Sequence, residues 1–588
     1  MFGLRSSHGA LLLDPCHTRF RLWAPDANRV EVRIVDGGLY PLQRQDEGWF
    51  EATVAVGAGV EYCYRIDGRL EVPDPASRQQ RKGPQSPSVV VDPDRYLWDT
   101  AHWQGRPWAE TVIYELHVGA LGGFKQVESW LPHLRELGVT AIELMPLNEV
   151  PGGRNWGYDG VLPYAPQSSY GTPDELRHLI DRAHALGQMV FIDVVYNHFG
   201  PDGNYLGEYA SDFFRTDIPT PWGAAIDFRK RPVRDFFVEN ALMWVHEFRV
   251  DGLRLDAVHA INDISLLEEL SERVQDSLPE GRQVHLVLEN EGNDAPLLEQ
   301  RYRAQWNDDG HNVLHHLLTG ESDSYYADFA KDSTDKLAQC LQEGFVYQGQ
   351  RNRHGRERGK PSGHLDATCF VLFLQNHDQI GNRALGERLI NLTSEAQLKA
   401  AIALLLLSPM VPLLFMGEEW GCTQPFLFFT DHHGELAAAV REGRRSEFSE
   451  FAAFNDEQQR EKIPDPNAAS TFTHSRPNLA EVNEPTHRAW LEYYRHLLSL
   501  RHGHLTPRLQ GARSLGVEVL GPKAVSARWS LADGAVWRID LNLSTQACEL
   551  LPLQSTAEVI FAVGIALDDS RNHRLPGCSA LISMEKKL

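Results

Sequence analysis

Residues 248 to 259 read Phe248-Arg249-Val250-Asp251-Gly252-Leu253-Arg254-Leu255-Asp256-Ala257-Val258-His259. If Gly252 to Asp256 is extended, Leu253 and Leu255 point one way while Arg254 and Asp256 point the other. An arginine and a carboxylate then share the polar face of a short, otherwise apolar strand. An isolated carboxyl there tends to keep its proton, but a cation two residues away favours the ionised form and keeps it available as a nucleophile. An ordinary buried ion pair would show the same pattern, so the neighbouring strands decide.

From Val112 onward, strand-like runs alternate with helical ones for almost four hundred residues, the pattern of a parallel sheet wrapped by helices. Eight runs read as strands: Val112 to His117, Ala141 to Met145, Val190 to Val195, Gly252 to Asp256, Val284 to Glu289, Ala304 to Trp306, Phe370 to Asn376 and Val411 to Met416. Eight predicts a closed (β/α)8 TIM barrel, an α/β fold. An open doubly wound sheet would carry a Gly-rich first turn, and none follows Val112 to His117. Between the strands, Thr172 and Glu175 form a capping box around Pro173 ahead of an apolar stripe that Gly187 stops. A second stripe, Val127 to Leu137, ends at Gly138, with a kink expected at Pro132. In such a barrel, reacting groups sit at the C-terminal ends of strands. Four of those ends are polar: Asp193-Val-Val-Tyr-Asn-His198, Arg254-Leu-Asp256, Glu289-Asn-Glu291 and Asn376-His377-Asp378. Any one of them alone reads equally as a cap or a solvated loop.

At 588 residues the chain exceeds a single core. We expect an immunoglobulin-like β-sandwich over 1–95, the barrel over 96–508 and a small antiparallel β domain over 509–588. The sandwich is read from alternation at Val30, Val32 and Ile34 and a turn at Asp67-Gly68, followed by a Pro-, Ser- and Gln-rich linker from Pro73 to Pro93. The C-terminal domain is read from Ala524 to Leu531 and Ala535 to Leu541 around an Asp533-Gly534 hairpin signal. With 57 basic against 80 acidic residues, the net charge is −23. Such a surface repels phosphate backbones and anionic lipid, so nucleic acid and membrane are not expected partners. Seven scattered cysteines without C-x-x-C spacing fit a reducing cytoplasm. The apolar run Ala10 to Leu13 is too short for a signal peptide. Ala400 to Gly417 is broken by Ser408, Pro409 and Pro412, and reads as a buried helix and strand rather than a membrane span.

The four strand-end motifs, Asp193-Val-Val-Tyr-Asn-His198, Gly252-Leu-Arg-Leu-Asp256, the strand ending at Glu289, and Gln375-Asn-His-Asp378, resemble in order those of the α-amylase superfamily of glycoside hydrolases. Met416-Gly-Glu-Glu419 resembles its eighth-strand ending, and the N-terminal sandwich resembles the glucan-associated module that precedes such barrels. Arg154-Asn-Trp-Gly-Tyr-Asp-Gly160, Asp256-Ala-Val-His-Ala-Ile261, Gln305-Trp-Asn-Asp-Asp309, Leu374-Gln-Asn-His-Asp-Gln-Ile-Gly-Asn-Arg383 and Ile463-Pro-Asp-Pro466 resemble the malto-oligosyltrehalose trehalohydrolase family. The resemblance implies cleavage of the α-1,4 bond beside a terminal trehalose, with maltooligosyltrehalose or a related α-glucan as substrate. It implies no cofactor and no metal, and a maltooligosyltrehalose synthase as functional partner. A glycogen branching or debranching enzyme, or a non-catalytic glucan-binding protein, would share much of this pattern. The segment Gly119 to Gly123 is shorter than the family's usual first rim loop, so the local shape of the cleft is left open.

Glycoside hydrolysis with retention needs an ionised carboxylate beneath the anomeric carbon and a protonated carboxyl beside the leaving oxygen. Asp256 suits the first role because Arg254 shares its face. Glu289 suits the second, following the apolar Leu286-Val-Leu288, with Glu291 as the alternative two residues on. By resemblance Asp378 is the third carboxylate, Asp193 lines the site, His198 and His377 bond the same sugar, and Tyr158 offers it an aromatic face. On the leaving side the resemblance points to His259 and to Trp306, Asn307, Asp308 and Asp309, although Trp-Asn reads equally as core packing and a helix cap. His311 with His315, and His432 with His433, have no evident third and fourth metal ligands.

Overall fold

The computed structural model describes residues 6–220, 223–451, 454, 456–566 and 573–585. Eight parallel strands close into a barrel: β1 (Ile113–Leu116), β2 (Ala141–Leu144), β3 (Met189–Val194), β4 (Gly252–Leu255), β5 (His285–Leu288), β6 (Ala304–Trp306), β7 (Phe370–Leu372) and β8 (Val411–Phe415). All eight fall on the runs read from sequence: β6 matches its run, β3 starts one residue earlier, and the others lose one to four residues where polar ends turn into loops. Alternation sorts each strand's side chains into two layers. Ile113, Ala141, Met189, Phe191, Val287, Trp306, Phe373 and Leu413 fill the barrel, with Trp108 in the same cluster. Tyr114, Ile142, Val190, Leu253, Leu255 and Leu286 belong to the larger core that includes the helices. Arg254 lies between two outward-facing leucines and points inward, as the opening stretch predicts. Gly252 is required where β4 passes its neighbours: a Cβ there would lie 2.6 Å from the Phe191 ring and 2.7 Å from the His285 carbonyl.

The helix ends obey their sequence signals. Helix α1 (Phe124–Leu137) runs unbroken through Pro132 and closes on left-handed Gly138. Helix α2 (Pro173–Ala185) opens with the complete Thr172–Glu175 capping box. Next in chain order are α3 (Arg231–Glu247), α4 (Asp308–Thr319) and the short α5 (His377–Gly381). Helix α6 (Glu395–Leu407) is buried nearly all round and leads into β8. Arg501 takes the Leu406 carbonyl of its last turn and those of Ser408 and Met410 in the link to β8, at 2.7 to 2.9 Å. Among the described residues no helix is long and apolar enough to cross a membrane.

Two antiparallel sheets precede the barrel, starting at Gly9, earlier than the alternation suggests. The 73–93 segment is no free linker. Asp74, Ser77, Gln80 and Ser88 are buried, Asp74 accepts from Tyr62 at 2.7 Å and from the Ala76 amide at 2.9 Å, and Ser88–Val89 pairs with the second sheet. Small polar side chains that bond the backbone give ordered turns the same composition as a linker. The C-terminal sheet orders its strands 513–521, 524–530, 536–542, 579–585 and 557–563. It docks on α6 through Trp537, whose indole donates to the Leu407 carbonyl at 2.8 Å.

Candidate active site

Strand register builds the site. Asp193 of β3 pairs directly with Arg254 of β4, so one guanidinium nitrogen donates both to Asp193 at 2.7 Å and to Asp256 at 2.8 Å. The other lies 3.8 Å from Glu289. The same guanidinium rests 4.2 Å over the Trp306 ring. Asp256 also accepts from the Asn197 amide at 2.8 Å, so both its oxygens meet donors that favour the ionised carboxylate. Immediately after β4, Ala257 adopts a left-handed conformation (φ 41°). The cost of that geometry for a residue with a Cβ is matched by what it aims: the Ala257 amide donates to Glu289 at 2.6 Å.

Glu289 stands at the end of β5 with its side chain 16% exposed. Burial raises its pKa, Arg254 opposes, and Asp256 and Asp378 reinforce the rise. One carboxylate thus meets two close donors, while its neighbour is pushed toward the protonated form. Asp378 is the second residue of α5 and is half exposed. It accepts from Asn382 at 3.0 Å and lies 3.6 Å from the His377 imidazole.

Behind these groups runs a buried chain. Glu115 of β1 accepts from the His377 amide at 3.0 Å and contacts its Nδ1 at 2.5 Å. Burial disfavours the imidazolium, but Glu115 and Asp378 outweigh it and raise His377 to about 9. The other ring nitrogen meets the Tyr158 hydroxyl at 2.9 Å, and that hydroxyl donates to Asp193 at 2.6 Å. Burial raises Asp193 to about 7 despite Arg254. Tyr158 lies stacked on His377, ring centroids 5.1 Å apart. His198 is buried, its Nε2 on the Tyr158 carbonyl at 2.9 Å. Neither Glu115 nor Asn197 was among the site residues read from sequence, yet alternation along Val112 to His117 already turns Glu115 inward.

Beside Glu289, His259 is exposed and its Nδ1 accepts from the Glu291 amide at 3.3 Å. Asp308, first residue of α4, is partly exposed; burial and Glu289 raise its pKa, and Gln379 approaches it at 3.5 Å. Its three sequence neighbours do not reach the cleft, which corrects the reading of all four as substrate contacts. Trp306 is 1% exposed and packs inside the barrel. Asn307 is a cap, accepting from the Gly310 amide at 3.1 Å and donating to the Gly344 carbonyl at 2.7 Å. Asp309 is spent on Asn293, Arg358 and the amides of Val346 and Tyr347, all within 3.0 Å. Glu291 lies beyond the end of β5 and is exposed. The acidic pair after β8 also turns away: Glu419 accepts from Tyr114 on the outer face of β1, and Glu418 from Tyr494. Val118–Leu121 form a single turn closed by left-handed Gly122, and Gly119 and Gly123 lie against Tyr170. His311 and His315 are engaged by the Leu374 carbonyl and Glu321.

Residues 92–242 match the α-amylase catalytic domain, 2–93 carbohydrate-binding module 48 (isoamylase N-terminal domain), and 512–582 a domain of unknown function, DUF3459. Over 82% of this chain and 81% of the relative, the sequence is 42% identical to malto-oligosyltrehalose trehalohydrolase of Deinococcus radiodurans. The chain belongs to the malto-oligosyltrehalose trehalohydrolase family. A trehalohydrolase of Saccharolobus solfataricus is 40% identical over 83% of this chain and 86% of its own length. The crystal structure of a putative alpha amylase from Salmonella typhimurium superimposes with a TM-score of 0.93 at 40% identity, covering 99% of this chain and all of that one. Membership in the trehalohydrolase family thus accompanies a barrel, a module 48 sandwich and a C-terminal sheet in one chain.

Proposed function

We propose that this chain is a retaining glycoside hydrolase that cleaves the α-1,4 bond beside the terminal trehalose of malto-oligosyltrehalose and releases trehalose. The observation that carries the reading is the opposed environment of two neighbouring carboxyls. Asp256 is held by Arg254 and Asn197, whereas burial pushes Glu289 toward its protonated form. Asp256 attacks the anomeric carbon while Glu289 protonates the departing trehalose oxygen; Glu289 then removes a proton from the water that frees the glucan. Asp378, half exposed beside His377, binds ring hydroxyls of the sugar undergoing attack. Tyr158, His198 and His377 line its bed, and Asp193 and Arg254 orient the nucleophile. His259 and Asp308, beyond Glu289, receive the trehalose. We assign 1–95 to the glucan-associated module, 96–508 to the catalytic barrel and 509–588 to the C-terminal domain. The scattered free cysteines suit work in the cytoplasm, downstream of a maltooligosyltrehalose synthase.

The test is incubation with maltotriosyltrehalose followed by chromatography. Free trehalose and maltotriose in equal amounts are expected. New branches in an added glucan, or no turnover, would select a branching enzyme or a binding protein instead. Asp308→Ala is expected to raise KM for trehalose-ended substrates more than for plain maltodextrins, and equal loss on both would remove Asp308 from the trehalose side.

A further inference from the structure

Glu143 of β2 points into the barrel in register with Glu115 of β1. It is 1% exposed, and neither carboxyl oxygen has a hydrogen-bond partner. The charged groups facing it are Glu115 from β1, Asp193 from β3, Arg254 from β4 and His377 from the start of α5. Both cations are already engaged. Arg254 donates to Asp193 and Asp256, and His377 contacts Glu115 and Tyr158. Both cations are thus taken up by other carboxyls, and Glu143 has no donor aimed at it. A buried carboxylate with neither donor nor counter-ion is strongly disfavoured and neutralises instead. Burial raises the Glu143 pKa well above the usual range, with Glu115 and Asp193 acting in the same direction.

We propose that Glu143 keeps its proton throughout turnover and is a positioning residue, a neutral floor that leaves Arg254 to Asp193 and Asp256 and leaves His377 to Glu115. An ionised Glu143 would compete for both cations and make Asp256 and Glu289 harder to ionise. The consequence for catalysis rests on the roles given to Asp256 and Glu289 above, whereas the protonation state does not.

Two measurements on Glu143→Gln test this. In infrared difference spectra of the substrate-free protein at neutral pH, the variant should lose one un-ionised carboxylic-acid band, and Asp193→Asn should retain that band. Loss of a carboxylate band instead would overturn the proposal whatever the reaction proves to be. In the pH profile of kcat/KM, both limbs should stay in place for Glu143→Gln. Had Glu143 been ionised, removing its charge would move both limbs to lower pH by about one unit or more, and that shift would equally overturn the proposal. If Glu143→Gln does not fold, Glu143→Met, similar in volume and uncharged, should keep the wild-type limbs. Displaced limbs in that variant count against the proposal in the same way.

Discussion

Asp256 works through the donors placed around it, so the variant that keeps shape and removes charge is the informative one. Asp256→Asn is expected to lower kcat by about 10⁴-fold or more while thermal unfolding changes little. Near-wild-type turnover would send the nucleophile elsewhere. His377 allows a signed pH prediction. Burial works against its charge, Glu115 overcomes this, and the folded value of about 9 exceeds the ordinary 6.5. A raised base contributes stability that is fully present below about 6.5 and lost as pH rises through about 9, on the order of 3 kcal/mol at most. Asp193, an acid raised to about 7, acts in the same sense, favouring the fold below its ordinary value and losing that contribution as pH climbs. Denaturation midpoints should therefore fall between pH 6.5 and 9, and Glu115→Gln should flatten that fall. At this scale sequence reached far: Arg254 and Asp256 share a face because β-strands alternate, and alternation needs no tertiary knowledge. It failed at Asp309, because a string of polar residues after a strand looks the same whether its side chains face a ligand or bond to distant backbone amides.

Strands, helices and turns supply the rigidity that keeps those residues in place, and close contacts between elements reveal where. Gly381 ends α5, the helix that carries Asp378. A Cβ at Gly381 would lie 2.0 Å from the Trp156 ring. Trp156 belongs to the loop bearing Tyr158, is stacked on Phe426 at 5.4 Å, and donates to the Leu427 carbonyl at 3.0 Å, so it has little freedom to retreat. Gly381→Ala is expected to cost about 1 to 3 kcal/mol of stability through overpacking. It should also reduce kcat/KM at least about tenfold, since displacement of a positioning element by even an ångström can cost more. Calorimetry and steady-state kinetics on one preparation check both, and a variant with wild-type kinetics would show the two elements to be independent. Barrel strands and capped helices were legible because their signals are local. The ordered turns of 73–93 were not, because linker and buttressed turn differ only in what their polar groups reach.

The three β and α/β units are joined by buried polar contacts as well as apolar ones. Arg78, in the segment after the N-terminal sheets, donates from two nitrogens to Glu247 at the end of α3 at 3.0 to 3.2 Å. Both side chains are about one-tenth exposed. Ser6 and Ser7 reach Glu239 on the same helix at 3.1 and 2.9 Å, and His8 packs edge-on against Phe236, ring centroids 5.2 Å apart. The helix that follows β3 and precedes β4 is thus also the seat of the N-terminal module, and the module's anchorage is continuous with the strand that carries Arg254. Removing one partner of a buried pair leaves the other charge without compensation, which typically costs about 3 to 5 kcal/mol. Arg78→Met keeps much of the aliphatic stem while stranding Glu247, so the loss should fall on the joint rather than on either core. Differential scanning calorimetry is expected to resolve an early transition for the N-terminal module ahead of the barrel, and a single transition for the wild type. Arg78→Met/Glu247→Gln, which removes the stranded charge, should bring the two transitions back together. If Arg78→Met melts in a single transition at the wild-type temperature, the module is held by its apolar contacts alone.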